Sequence, residues 1–161
     1  MTPAWLPNII SLDGPWEVTL AKLYGIFEND FIRGKPCFGD KPVWWDNRIE
    51  DGKYEEGFWH IISTGPVGQR VPDYEREKRL PWCAPTILNC GDRAVKCWDY
   101  RENGGEIRTY IWLEHLDYVI ILEKRKMRFG EIAFLITAFH VGGSSTRNKL
   151  GQKYEQRIPT N

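Results

Sequence analysis

Between residues 106 and 141 (EIRTYIWLEHLDYVIILEKRKMRFGEIAFLITAFHV), three apolar runs are separated by short polar gaps. The runs, 107–113, 118–122 and 132–141, are rich in β-branched and aromatic residues, which suit a pleated surface. The gaps, 114–117 and 124–130, are shorter than the crossover that parallel strands require, so the pattern predicts an antiparallel meander. A fourth strand is expected at 94–98 (AVKCW), with Asn103-Gly104-Gly105 as the turn that follows it. Positions 119–122 and 132–136 are apolar without alternation, which predicts central strands covered on both faces. Arg108, Thr109, Lys124 and Thr137 are the polar residues that interrupt this sheet.

The first half of the chain has a different period. Leu20, Leu23, Tyr24, Phe27 and Phe31 recur at three- and four-residue spacing, predicting an amphipathic helix over 15–32. Asp13 is its candidate cap and Arg33-Gly34 its stop. Residues 1–15, with Pro3, Pro7 and Pro15, read as an arm anchored by Trp5. Residues 35–46 mix Pro, Gly and aromatics, and Val43-Trp44-Trp45 is either a short strand or a packing plug. An acidic surface loop is expected at 47–56, then an apolar segment around His60 (FWHII). A charged helical turn over 71–80 should be stopped by Pro81-Trp82, with a helix from Pro85 to Cys90 and a short polar helix over 146–157. The expected fold is therefore α+β, with N-terminal helices packed on a roughly four-stranded antiparallel sheet. One domain is expected over 1–161: an arm at 1–15, a helical and loop half at 16–90, the sheet at 94–141, and the C-terminal helix.

Composition sharpens this picture at a few points. Hydrophobic residues make up 42% of the 161 positions and charged residues 27%, which places the chain among soluble globular proteins. Formal net charge is zero, which argues against a protein that grips long nucleic acid by charge alone. The charge is unevenly spread: Lys124-Arg125-Lys126-Met127-Arg128 is basic, 147–157 carries four cations against one acid, and acids gather at 46–56. No basic segment followed by an apolar core opens the chain, and no apolar run nears about 18 residues. A cytoplasmic location with no membrane partner is the expectation. Cys37, Cys83, Cys90 and Cys97 have no metal-knuckle spacing, so reduced thiols and no bound metal or other cofactor are expected.

Chemistry-bearing templates are few. The chain has no P-loop, no G-x-G-x-x-G, no H-E-x-x-H and no G-x-S-x-G. Of its three histidines, His60 lies inside an aromatic segment, His115 in the turn at 114–117, and His140 at the end of the last strand.

The order of these motifs is FWHI, an Arg-rich segment with LPW, RTYIWLE-x-x-DYVIILEKRK, FLITAFHV, then R-x-K-L-x-x-K-Y. It resembles phage-associated members of the barnase/EndoU/colicin/RelE-like superfamily of metal-independent ribonucleases, over residues 55–154. That resemblance implies an RNA endonuclease with a toxin or phage-effector role and RNA as partner. It also implies a cleft lined by a His after the helical half, a cation on a strand and a hydroxyl on a later strand; the matching positions are His60, Arg108 and Thr137. Such cleavage uses the substrate's own 2′-hydroxyl and needs a base, an acid and stabilisation of the phosphorane charge. Tyr110 and Trp112 are candidates for stacking a base, and Lys124, Arg147 and Lys149 for further phosphate contacts. Each has a plainer alternative: a core histidine, Arg108 paired with Glu123 across the meander, Thr137 as an ordinary strand residue, Lys149 as a solvated helix residue. The competing functional reading is a non-catalytic binding protein of mobile-element origin, with an aromatic cleft for a peptide, nucleotide or partner chain. A purely structural factor is a third.

Overall fold

A computed structural model describes residues 2–66 and 68–160. The first helix, α1 (Trp16–Phe27), continues through a π-helical turn at Glu28–Arg33. It ends at Gly34, where a Cβ would lie 2.5 Å from the Asp30 carbonyl oxygen. The N-cap is Pro15, with no side-chain hydrogen bond, so Asp13 does not cap this helix. Two short strands follow, β1 (Cys37–Phe38) and β2 (Lys41–Trp44), then α2 (Glu56–His60). A small hairpin of β3 (Ser63–Thr64) and β4 (Val71–Pro72) leads to α3 (Tyr74–Lys78) and α4 (Leu80–Leu88). The long strands are β5 (Lys96–Arg101), β6 (Ile107–Leu113), β7 (Tyr118–Met127) and β8 (Gly130–His140), and α5 (Ser144–Glu155) closes the chain.

The fold is α+β, as the two periodicities imply. The sheet differs from the expectation. It has six strands in the order β1-β2-β8-β7-β6-β5 and is mixed, because β2 runs parallel to β8 through Val43↔Ala133 and Trp44↔Phe134. The meander of β5 to β8 is one part of it. Val43 and Trp44 thus lie in a strand whose partner is some ninety positions away, a pairing that no local pattern encodes, while Trp45 packs against Phe27 and Phe31. Pro81 corrects a second expectation: it sits in the first turn of α4 and opens that helix. Proline's missing N–H costs nothing where a helix has no acceptor for it, and its φ is already helical.

Side chains alternate along the strands, with one irregularity on β8, where Ile121 pairs with Thr137 and Leu122 with Leu135, so the sheet has two distinct faces. One carries Ile111, Leu113, Tyr118, Ile120, Leu122, Ala133, Leu135 and Ala138, packed with Leu23 and Phe27 of α1, Phe58 of α2, and Leu80, Cys83 and Ile87 of α4. The other carries Trp98, Tyr110, Trp112 and Val119, and α5 covers it with Leu150 and Tyr154. That helix spans only part of its face. Strand β2 likewise pairs with β8 only at residues 133 and 134, and α2 and α3 pack along β8.

Candidate functional site

Helix α2 is fixed by backbone contacts to the preceding loop. Glu56 N–H donates to the Arg48 carbonyl (2.9 Å) and Gly57 N–H to that of Asp46 (2.8 Å). Position 57 must be glycine, since a Cβ there would come within 2.6 Å of Trp45 Cβ. The last residue of α2 is His60, whose carbonyl has no partner within so short a helix. Two side chains supply one. Thr137 Oγ1 donates to it at 2.8 Å from β8, and Arg76 Nη1 at 2.9 Å from α3. The same Arg76 nitrogen donates to the Ser63 carbonyl (3.0 Å) and to Thr137 Oγ1 (3.2 Å). Arg76 is itself held by Asp73, which caps α3 by accepting from the Glu75 and Arg76 N–H groups and lies 3.3 Å from Arg76 Nε. Its guanidinium sits 5.5 Å from the Phe139 ring centroid.

His60 and Thr137 are therefore brought together, through the His60 backbone. The imidazole itself lies among Glu56, Asp46, Arg70 and Arg48. Burial pushes its pKa below the ordinary value, with Glu56 and Asp46 opposing that shift and Arg70 and Arg48 adding to it. Burial thus favours the neutral imidazole. Glu56 is buried and ion-paired with Arg70, whose guanidinium lies over the Trp59 ring at 5.1 Å. Glu56 Oε2 is buried without a hydrogen-bond partner among the described residues.

Arg108 lies two strands from Thr137, on β6, on the same face of the sheet. Its Nε is 3.6 Å from Glu123 Oε2, and Glu123 also accepts from Arg125 Nε at 2.7 Å. Tyr110 and Trp112 are 2% and 1% exposed. Trp98 stacks on Tyr110 at 5.1 Å and meets Trp112 edge-on at 6.1 Å, so neither ring offers a free face to a base. The Tyr110 hydroxyl donates to Glu102 and accepts from Lys153 Nζ at 2.8 Å. Lys124 points to the opposite face, where its Nζ meets Asp99 Oδ2 at 2.7 Å and Thr109 Oγ1 donates to the other Asp99 oxygen at 2.6 Å. On α5, Arg147 pairs with Asp117 and Lys149 is exposed. His115 is exposed, and His140 Nδ1 lies 4.0 Å from Glu75 Oε2.

The residue missing from the sequence reading is Arg76. Segment 75–78 reads EREK, charged at every position, so no apolar stripe marks Arg76 as the inward member. The available signal was Asp73, a capping residue three positions ahead of an arginine. Among the described residues, no cluster of three or more His, Cys, Asp or Glu side chains could hold a metal ion, and no helix is long and apolar enough to cross a membrane. Compared with known proteins, the chain matches no family model, no curated protein and no solved structure.

Proposed function

We propose that the protein is a metal-independent RNA endonuclease. The observation that supports this reading is the meeting of Arg76 and Thr137 at the His60 carbonyl, on the sheet face that also carries Arg108 two strands away. In the proposed reaction the substrate's 2′-oxygen forms a bond to phosphorus and the bond from phosphorus to the 5′-oxygen breaks. The products are a 2′,3′-cyclic phosphate and a 5′-hydroxyl. His60, its neutral form favoured by desolvation, takes the 2′-hydroxyl proton; water protonates the leaving 5′-oxygen, and the hydroxide so formed takes back the proton held by His60. Arg76 and Arg108 offset the charge that develops on the phosphorane oxygens, and Thr137 fixes Arg76 and the end of α2.

A specific observation favours the second reading, a non-catalytic binding protein. The Thr137 hydroxyl and the Arg108 guanidinium are both engaged within the chain, by the His60 carbonyl and by Glu123. One experiment separates the two. A 5′-labelled single-stranded RNA is incubated with the protein in EDTA and the product ends are resolved. Cyclic-phosphate ends, with the rate lowered about 10²–10⁴-fold by His60→Ala and about 10²–10³-fold by Arg108→Ala, support the nuclease. Products with 3′-hydroxyl ends would require different chemistry. No cleavage by a folded wild type would leave the binding protein as the reading to keep.

A further inference from the structure

The sheet face shared by Arg108 and Thr137 continues from Tyr100, at the edge of α5, as a row of partly exposed side chains. Register places the row across five strands. Tyr100 on β5 is opposite Arg108 on β6, Arg108 meets Glu123 on β7, Glu123 is opposite Phe134 on β8, and Phe134 is opposite Trp44 on β2. Four strand spacings of about 4.8 Å give the row a span of roughly 19 Å. The row holds three aromatic rings, one guanidinium and one carboxylate, and Arg125 lies beside it on β7. Arg125 lies over the Phe134 ring, 3.8 Å from its centroid. Trp44 packs against Phe129 in the β7–β8 turn, with ring centroids 5.4 Å apart.

This end of the row is wet. Trp44 is 39% exposed and Phe129 65%, and Met127 beside them is 40% exposed. A surface row that needed only to cap the sheet would hold small or purely polar residues. Here large rings remain in water between cations. Acids are present, and Glu123 and Asp40 are paired with cations. Glu123 is shared by Arg108 and Arg125, and Asp40 at the rim is paired with Lys41 at 3.1 Å. Glu131 is opposite Lys126 across the hairpin. Among the described residues Arg128, exposed in the turn, forms no ion pair. The balance favours an anionic partner that also offers flat apolar faces.

We infer that this row is a binding track for single-stranded RNA, with bases stacked on Trp44 and Phe129 and phosphates held by Arg125, Arg128 and Arg108. The inference rests on the nuclease reading for its choice of substrate, and it names the surface on which that substrate lies. Single strands fit because their bases expose both faces, while a duplex buries them in its own stack. Electrostatics contribute modestly with so few unpaired cations, so stacking carries most of the affinity.

The test measures binding apart from cleavage. A fluorescein-labelled 2′-O-methyl RNA of mixed sequence lacks the nucleophilic hydroxyl, and its anisotropy is followed as protein is added. Trp44→Ala and Phe129→Ala are each expected to weaken binding by roughly 5- to 150-fold, Trp44→Phe to restore most of it, and Arg125→Ala to flatten the salt dependence. Trp16→Ala, at an exposed ring on α1, should leave binding unchanged. Circular dichroism of each variant shows that the sheet is intact. A wild type that fails to bind the strand, or binding that survives Trp44→Ala together with Phe129→Ala, overturns the track. So does preferential binding to duplex RNA or to anionic vesicles. If the wild type binds through Trp44 yet cleaves no unmodified RNA, the nuclease reading falls and the track stands. If it cleaves but Trp44→Ala changes neither KM nor binding, the track falls and the nuclease stands.

Discussion

The two faces of the sheet come from the same strands, yet they solve different problems. The face toward α1, α2 and α4 is a continuous apolar layer in which Phe27, Phe31, Phe58 and Trp45 interlock edge-on and stacked. Its polar exception, the trio of Thr109, Asp99 and Lys124, is closed on itself by hydrogen bonds. The opposite face is sealed at one end by α5 and open at the other. Arginines, a glutamate and half-exposed rings stand side by side there. One face gains stability by excluding water. The other keeps groups in water that a purely structural sheet would have buried or replaced. Alternation along a strand lets both coexist at a spacing of one residue.

The largest expected effect breaks the dry face. Phe27 is fully buried and touches Tyr24, Phe31, Trp45 and Phe58. Phe27→Ala should cost about 3–5 kcal/mol in urea unfolding, since the cavity left among rigid rings relaxes poorly. A loss below about 1 kcal/mol would mean that this layer is loosely packed.

A pH effect comes next. Glu77 on α3 is fully buried, and neither carboxylate oxygen has a partner among the described residues. Burial, with Asp73 nearby, raises its pKa from 4.5 to about 7. The folded state therefore holds this proton more tightly than the unfolded chain does. The stabilisation is complete below about pH 4.5 and is lost as pH rises to about 7, by on the order of 3 kcal/mol. Glu77→Gln should remove that slope, so the difference in unfolding free energy between wild type and variant should grow from pH 4.5 to 7.5. Parallel curves would show that the carboxyl is solvated.

Smaller effects test the open face. Thr137→Val deletes one of two donors to the His60 carbonyl and should cost about 1 kcal/mol. If it also lowers RNA cleavage, the end of α2 is being positioned for chemistry. Arg108→Ala removes a partly exposed pair at 3.6 Å and should change stability by less than about 1 kcal/mol. The comparison is sharpest here. A change of activity far larger than the change of stability marks Arg108 as a functional group, while loss of both marks it as part of the scaffold.

Legibility followed the sequence separation of the contacts. Strands β6, β7 and β8 were readable because each pairs with a neighbour across a turn of a few residues, and the intervening polar residues mark the turns. The strand expected at 94–98 starts two residues later and ends three residues later, at Lys96–Arg101, because apolar Ala94 and Val95 precede it and polar Asp99 and Arg101 lie within it. Helix α1 was readable from its 3.6-residue period, although its last turn is π-helical. The charged segment before Pro81 hid two inward residues, Arg76 and Glu77, since a helix charged at consecutive positions has no stripe to point the way.

Local pattern was enough for the α+β class, the antiparallel hairpins of the meander and the polar interruptions at Arg108, Thr109, Lys124 and Thr137. These depend on residues within a few positions of one another and on the fixed periods of helix and strand. Packing set the rest: β2 pairs parallel with β8, Lys124 and Arg108 lie on opposite faces, α5 buries Tyr110 and Trp112, and Thr137 and Arg76 meet at the His60 carbonyl. Each of these joins residues far apart in the chain. Such contacts are selected by which surfaces can be removed from water together, a property of the packed whole that no local pattern carries.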